Sequence, residues 1–143
     1  MLFRSENFSV HHQLTGLLEA SRRHSGNKSS KCLFLHLHAS SIEIIVTEER
    51  KLIFANSFPC KGGEDGVYFV MMVCDQLGLN PEKVEVMLSG EIEKDGAFFR
   101  QLQKCLRFIS FSERTKAATF TYGFDELPAH YYHAAFNHVL CEL

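Results

Sequence analysis

Two histidines share one face of a strand-like run, and their spacing makes them the first candidates for a metal-binding site. His36 and His38 alternate with leucines in the run Cys32 to His38. A period of two places both imidazoles on one side, about 7 Å apart. They could form one edge of a metal site, completed by His130 and His133 of a predicted final helix. No cysteine or carboxylate joins them at ligand spacing, so the sequence predicts hydrogen-bonded histidines and no metal site.

The acids and thiols of the chain form no catalytic pattern. A nuclease site would need several carboxylates that converge on two metal ions. The run around His36 contains no carboxylate, and Glu43, Glu91 and Asp95 are scattered acids. Cys32 could be paired with His36 as a nucleophile, but apolar neighbours keep such a thiol protonated and inert. The sequence therefore predicts no catalytic residue and no enzyme.

The composition is that of an ordinary globular domain. The chain has 143 residues, 45% of them hydrophobic and 22% charged, with a net charge of -2. A weakly acidic chain without a basic stripe is not expected to bind nucleic acid. Its five cysteines are widely spaced without a CxxC pair, which predicts buried thiols in a reducing compartment. Neither a secretory signal nor an apolar run near the ~20 residues of a membrane span is visible, so we expect a cytoplasmic protein.

Hydrophobic periodicity predicts the elements that would position these residues. Alternating or β-branched runs predict strands at Cys32–His38, Ile42–Thr47, Leu52–Phe58, Val84–Leu88 and Leu106–Phe111. Spacings of three and four predict helices over Ser9–Arg23, from Glu64 to a cap at Gly78, over Glu93–Lys104 and from Pro128 onwards. The short stretch Lys116–Tyr122 is ambiguous.

The order of these elements predicts the fold class. The first three strands follow one another with short polar turns, which indicates an antiparallel meander. The helix after them leads into a fourth strand, and such a crossover makes that strand parallel to a neighbour. We predict an α/β domain of ribonuclease H-like type, with a mixed sheet and flanking helices. It would be a single unit over 1–143, with a helix and linker at 1–30 and the core at 31–143.

At this level the chain resembles the actin-like ATPases. Its strands, the helical segment KGGEDGVYFVMMVCDQLGL and the run VEVMLSGE are similar to the second subdomain of that superfamily. The similarity points to the divergent branch with pilus-assembly and cell-division proteins. The chain also looks like the C-terminal half of an uncharacterised Bacteroidetes family of this fold. That resemblance would imply an N-terminal half absent from this sequence.

The resemblance also shows where this chain departs from an ATPase. The superfamily binds phosphate and metal through an Asp and a Gly of the first hairpin, and a Gly-Gly pair after the fourth strand lets adenosine lie flat. The matching positions here are His36, His38, Ser40 and Ser41 in the hairpin, and Ser89, Gly90 and Glu91 after the strand. Without the carboxylate there is no Mg²⁺ ligand, and Glu91 would repel phosphates. We expect a degenerate nucleotide cleft, with no ATP, Mg²⁺ or other cofactor.

An aromatic segment near the end of the chain is the candidate docking patch. Tyr131, Tyr132, His133 and Phe136 follow Pro128 on the predicted last helix. Aromatic residues often anchor protein interfaces, although core packing with an ordinary surface is the commoner reason for such residues. We expect a non-catalytic scaffold or protein-binding module, which binds a protein partner or associates with itself. The alternative is a nucleotide-binding ATPase domain that is completed by a missing N-terminal half.

Overall fold

A computed structural model describes residues 13–26, 29–113 and 128–131 of the chain. The elements in chain order are α1 (Gln13–Ser25), β1 (Cys32–Leu37), β2 (Ser41–Glu48), β3 (Lys51–Pro59), α2 (Gly63–Gln76), β4 (Glu85–Gly90), α3 (Ala97–Cys105) and β5 (Phe108–Phe111). The predicted α/β order is confirmed over these residues.

The five strands form one mixed sheet in the order β3-β2-β1-β4-β5. The first three strands pair antiparallel as the predicted meander, whereas β1, β4 and β5 are parallel. Parallel neighbours need crossover connections, and α2 and α3 provide them. The ribonuclease H-like fold class predicted from the sequence is confirmed.

Each face of the sheet packs against different helices. Alternate residues of β1 separate into the two cores, as a period of two requires. Leu33 and Leu35 pack with α2 and α3 in the larger core, while Phe34 packs on the other face with α1 through Leu17. His36 continues the Phe34 row, so it belongs to the face that α1 covers. The larger core contains the fully buried residues Leu35, Ile42, Ile44, Val46, Val70, Leu88 and Leu102.

Both predicted ends of α2 are confirmed. Glu64 and Asp65 occupy the first turn, where carboxylates complement the positive end of the helix dipole. At the other end Gly78 has a φ of +63°, and its N–H donates to Asp75 O at 3.2 Å. The N–H of Leu79 donates to Cys74 O at 2.8 Å, which completes a Schellman motif.

Other boundaries differ from the predictions. The helix predicted from Glu93 begins at Ala97, because the Gly96 N–H closes a turn onto Glu93 O at 3.0 Å. The last strand begins at Phe108 instead of Leu106, since the Leu106 N–H donates to Leu102 O and prolongs the helix end. The fourth strand extends to Gly90, beyond the predicted end at Leu88.

Some sequence predictions lie outside the described residues. These are the start of the first helix at 9–12, the ambiguous stretch 116–122 and most of the last helix, of which only 128–131 is described. Cys32, Cys60 and Cys74 are buried, and Cys105 is half-buried. Burial raises the pKa of the Cys74 thiol, in keeping with an inert core cysteine.

Candidate functional site

The two histidines, one in β1 and one just after it, meet a carboxylate from β2 at the turn end of the first hairpin. His36 is the register partner of Glu43, and both are buried. His38 lies just beyond the strand, with its ring centroid 4.5 Å from that of His36 and its Nε2 3.3 Å from Glu43 Oε2. One ligand atom from each of these three residues lies within 4.8 Å of the others. We call His36, His38 and Glu43 the His-Glu cluster.

A buried serine of β4 orients the inner histidine. Ser89 is the parallel register partner of His36, and its Oγ lies 2.6 Å from His36 Nδ1. The same hydroxyl donates to Leu35 O at 3.4 Å. With its proton directed at Leu35, the hydroxyl accepts from Nδ1–H of His36. Nε2 is then the nitrogen of His36 that carries the lone pair.

The two other hairpin residues predicted from the sequence, Ser40 and Ser41, accept hydrogen bonds through their backbone carbonyls. The Ser41 carbonyl accepts from the His38 N–H at 2.8 Å and closes the turn. The Ser40 carbonyl accepts from the Cys60 N–H at 3.0 Å, which joins the turn to the end of β3. Ser40 is exposed and Ser41 half-buried. The turn is therefore held on both sides by hydrogen bonds.

The end of β4 is closed by backbone hydrogen bonds. The Gly90 N–H donates to His130 O at 2.6 Å, and the Glu91 N–H donates to Leu37 O at 2.8 Å. Gly90 has a φ of +88°, and a Cβ there would overlap the backbone of Leu37. Gly90 is therefore needed for close packing of the chain on β1. Both amides of this predicted nucleotide-binding position have partners within the protein.

His130 connects residues 128–131 to the end of β4 through hydrogen bonds. It is buried, and its Nε2 lies 2.6 Å from Ile92 O. Its ring also contacts Phe111, with 4.4 Å between the centroids. Burial lowers the pKa of His130 and Lys94 lowers it further, while the hydrogen bond to Ile92 opposes the shift. The neutral imidazole is thus the favoured form.

An open cleft of about 470 Å³ lies beside the closed end. Its polar lining includes the carboxylate residues Glu91 and Glu93, and Ala97 brings the first turn of α3 to it. Tyr131, predicted as part of a docking patch, is half-buried and lines this cleft. The other patch residues, Tyr132, His133 and Phe136, lie outside the described part of the chain. The cleft presents acidic side chains where a phosphate would need positive charge.

Among the described residues, large apolar side chains are exposed on the edge strand β3 and on α2. Leu52 and Ile53 are each 41% exposed, and Tyr68 of α2 is 64% exposed. The stacked rings of Phe58 and Phe69, with centroids 4.7 Å apart, connect the two elements. The Tyr68 ring meets Phe69 edge-on, with 5.5 Å between the centroids. We call Leu52, Ile53, Phe58, Phe69 and Tyr68 the β3 edge surface. Sequence reasoning missed it because β3 was not identified as an edge strand.

Sequence reasoning also missed Glu43 as a neighbour of the histidines. Glu43 lies seven positions after His36, too far along the chain for a local ligand spacing. The signal lay in the hairpin: a turn at Ala39 and Ser40 pairs residue 36 with residue 43. The other predicted contributor, His130, is not a member of the His-Glu cluster, and His133 is outside the described residues.

None of the helices among the described residues is both long enough and apolar enough to span a lipid bilayer.

The mixed sheet and its flanking helices define a domain of the actin-like fold class. A family model described as "Protein of unknown function (DUF3822)" matches residues 2–109. The chain belongs to this family.

A solved structure supports the same class. It is the 1.85 Å crystal structure of a protein from Bacteroides thetaiotaomicron VPI-5482, described as having an actin-like ATPase fold and unknown function. The two chains are 29% identical, with a TM-score of 0.65. The match covers 70% of this chain and 39% of that protein, so the chain spans well under half of its relative. The predicted resemblances to actin-like ATPases and to an uncharacterised Bacteroidetes protein are confirmed. No curated protein matches significantly.

Proposed function

We propose that this chain is a non-catalytic domain of actin-like fold that serves as a protein-binding scaffold. The observation that carries the proposal is the closed end of β4. The Gly90 and Glu91 amides donate to His130 O and Leu37 O, so neither points to an external ligand. Phosphate sites built from backbone depend on such N–H groups and on a glycine that allows close approach. Here the close approach is made by Leu37.

The charges around the strand ends support the same proposal. Glu91 and Glu93 line the adjoining cleft, and the first hairpin carries Glu43 beside two histidines. A triphosphate brought to this place would meet carboxylates, and like charges at short range repel strongly outside bulk water. The domain is therefore proposed to have no ATPase activity.

The β3 edge surface is the proposed protein-binding region. β3 is nine residues long and lies at one edge of the sheet, where every second backbone N–H and C=O points away from β2. Native edge strands usually carry charges or bulges that prevent pairing with another chain. β3 does carry a bulge at Ile53, opposite Val46 and Thr47, yet the two residues exposed there, Leu52 and Ile53, are apolar. This combination suits the addition of a strand from a partner, with a second copy of the chain as the proposed occupant.

A thermal-shift titration with Mg-ATP tests the non-catalytic half of the proposal. We expect the melting temperature of the full-length protein to stay unchanged across the titration, because a ligand raises it only by binding the folded state. A saturable rise, accompanied by phosphate release, would overturn the proposal.

Sedimentation velocity tests the binding half. We expect the wild-type protein to associate reversibly and Ile53→Lys to shift it towards the monomer, because a buried lysine would be poorly solvated in a paired edge. Phe108→Lys is the matched control, since Phe108 is 50% exposed on the opposite edge strand, β5. A wild type that stays monomeric at all concentrations, or equal effects of both variants, would contradict the assignment of the β3 edge.

The alternative function is a nucleotide-binding ATPase completed by a second half. It is favoured by the solved relative, of which this chain matches only 39%, and by the cleft beside β4. In that case the nucleotide would be bound between two halves. A Mg-ATP titration on a chain that includes the second half discriminates the two functions, because only the ATPase predicts a saturable shift there.

A further inference from the structure

The His-Glu cluster has the composition of a transition-metal site. It offers two imidazole nitrogens and one carboxylate oxygen, the same donor set as the His₂Glu sites of several zinc enzymes. Mg²⁺ and Ca²⁺ favour six or more oxygen ligands, so a site with two nitrogens and one carboxylate suits them poorly. Imidazole and carboxylate together suit Zn²⁺ and similar first-row divalent ions.

The spacing of the cluster fits such an ion after a small adjustment. Tetrahedral bonds of about 2.0–2.2 Å place neighbouring ligand atoms about 3.3–3.6 Å apart. His38 Nε2 and Glu43 Oε2 already lie 3.3 Å apart. One ligand atom from each of the three residues lies within 4.8 Å of the others. His38 has the most exposed side chain of the three, so the adjustment is expected there.

The surroundings of the cluster resemble the outer shell of metal sites. Metal-binding histidines usually donate their second ring N–H to a fixed acceptor, which orients the ring. Nδ1 of His36 has such a partner in Ser89 Oγ, and Ser89 is itself fully buried. His36 and Glu43 are buried on neighbouring, hydrogen-bonded strands, so two of the three ligands are held rigidly.

An entry path and a coordination position remain for solvent. The His38 side chain is 31% exposed, whereas that of Glu43 is 7% exposed, so the cluster opens to water on the His38 side. Three protein ligands leave the fourth tetrahedral position to a water molecule or a further ligand.

We propose that His36, His38 and Glu43 bind one divalent transition-metal ion, with Zn²⁺ as the representative ion. The ion tethers the end of β1 to β2, and Ser89 extends the tether to β4. Without a metal, His38 and Glu43 make an ordinary side-chain contact, and this simpler explanation is the one against which the proposal is tested. The site is independent of the proposed scaffold function, since either can fail without the other.

Competition with a chromophoric chelator measures Zn²⁺ affinity and stoichiometry on the full chain. We expect one ion per chain. His38→Ala is the primary variant, since this half-exposed residue can be removed without opening the core, and we expect its affinity to fall at least ~100-fold with loss of a ligand. Ser89→Ala leaves all three ligands in place and is expected to lose about 10–100-fold, as for other outer-shell partners.

Two matched controls separate the site from general surface binding. Glu48→Gln changes a half-buried carboxylate at the far end of the same strand as Glu43, and His24→Asn changes a half-buried histidine of α1. Both are expected to retain wild-type affinity, whereas Glu43→Gln should lose it. Circular dichroism checks that each variant is folded, and His38→Ala keeps the test valid if Glu43→Gln does not fold.

Co²⁺ substitution provides a readout of the ligands themselves. Bound Co²⁺ should show visible d–d bands of a tetrahedral or five-coordinate site, and these bands should disappear in His38→Ala. Absence of stoichiometric Zn²⁺ binding would overturn the proposal. Wild-type affinity in folded His38→Ala would also overturn it, as would octahedral Co²⁺ bands unchanged by that substitution.

Discussion

Replacement of Gly90 by alanine should destabilise the domain even in the absence of any ligand. Gly90 has a φ of +88°, and an added Cβ would overlap Leu37 O and stand 2.8 Å from Leu37 N. Both contacts are to backbone, so a side-chain rotation cannot relieve them. The ends of β1 and β4 would have to separate, at the point where the Glu91 N–H donates to Leu37 O.

The magnitude follows from two contributions. A non-glycine residue held at an unfavourable positive φ costs about 1–3 kcal/mol. The backbone overlap adds the cost of displacing a paired strand end, and we expect at least ~3 kcal/mol in total, a large fraction of the ~5–15 kcal/mol of a typical domain. Gly78→Ala is the matched control, because Gly78 has a φ of +63° but nothing within 4 Å of the added Cβ. It should show the conformational cost alone, about 1 kcal/mol.

Urea unfolding followed by circular dichroism measures both variants. We expect the free energy of unfolding of Gly90→Ala to lie below that of Gly78→Ala by about 2 kcal/mol, with similar m-values. A difference below about 0.5 kcal/mol would refute the view that Gly90 is required for close packing on β1. Gly90 would then need another explanation, such as an approaching ligand.

Two further predictions concern the closed end and the core. Burial lowers the pKa of His130 from 6.5, so the unfolded chain binds its proton first, and stability should fall as pH drops below that value towards the folded-state pKa. His130→Asn should flatten this part of the stability–pH curve in urea titrations, and an unchanged curve would contradict the assignment. Leu35→Ala should cost about 2–5 kcal/mol because Leu35 is fully buried between β2 and β4. Leu52→Ala, at an exposed position, should cost far less, and equal losses in calorimetry would contradict the described core.

Much of the fold could be predicted because its signals are local. Alternation in β1 and the change to helical spacing after Gly63 gave the order of strands and helices. The predicted element boundaries were wrong where local hydrogen bonds outweighed the hydrophobic pattern. Glu93 is a residue type that is common in the first turn of a helix. The turn closed by the Gly96 N–H nevertheless makes α3 begin at Ala97. Such competition between a turn and a helix is decided by tertiary contacts around it.

The candidate site was predicted less completely because its members come from different strands. His36 and His38 were found from their spacing, whereas Glu43 and Ser89 reach them through antiparallel and parallel pairing. The antiparallel partner could have been read from the length of the turn, but the parallel register depends on how α2 packs. The closure of β4 by His130 O joins residues 40 positions apart, which no local pattern indicates.

The central claim is that the strand ends are closed by internal hydrogen bonds and do not hold nucleotide. Amide NMR spectra of the ¹⁵N-labelled full-length protein, recorded during a Mg-ATP titration, test it at the atoms concerned. We predict that the Gly90 and Glu91 resonances do not move and that both amides exchange slowly with solvent, with or without nucleotide. Saturable shifts of these two resonances, or fast exchange in the absence of nucleotide, would contradict the claim.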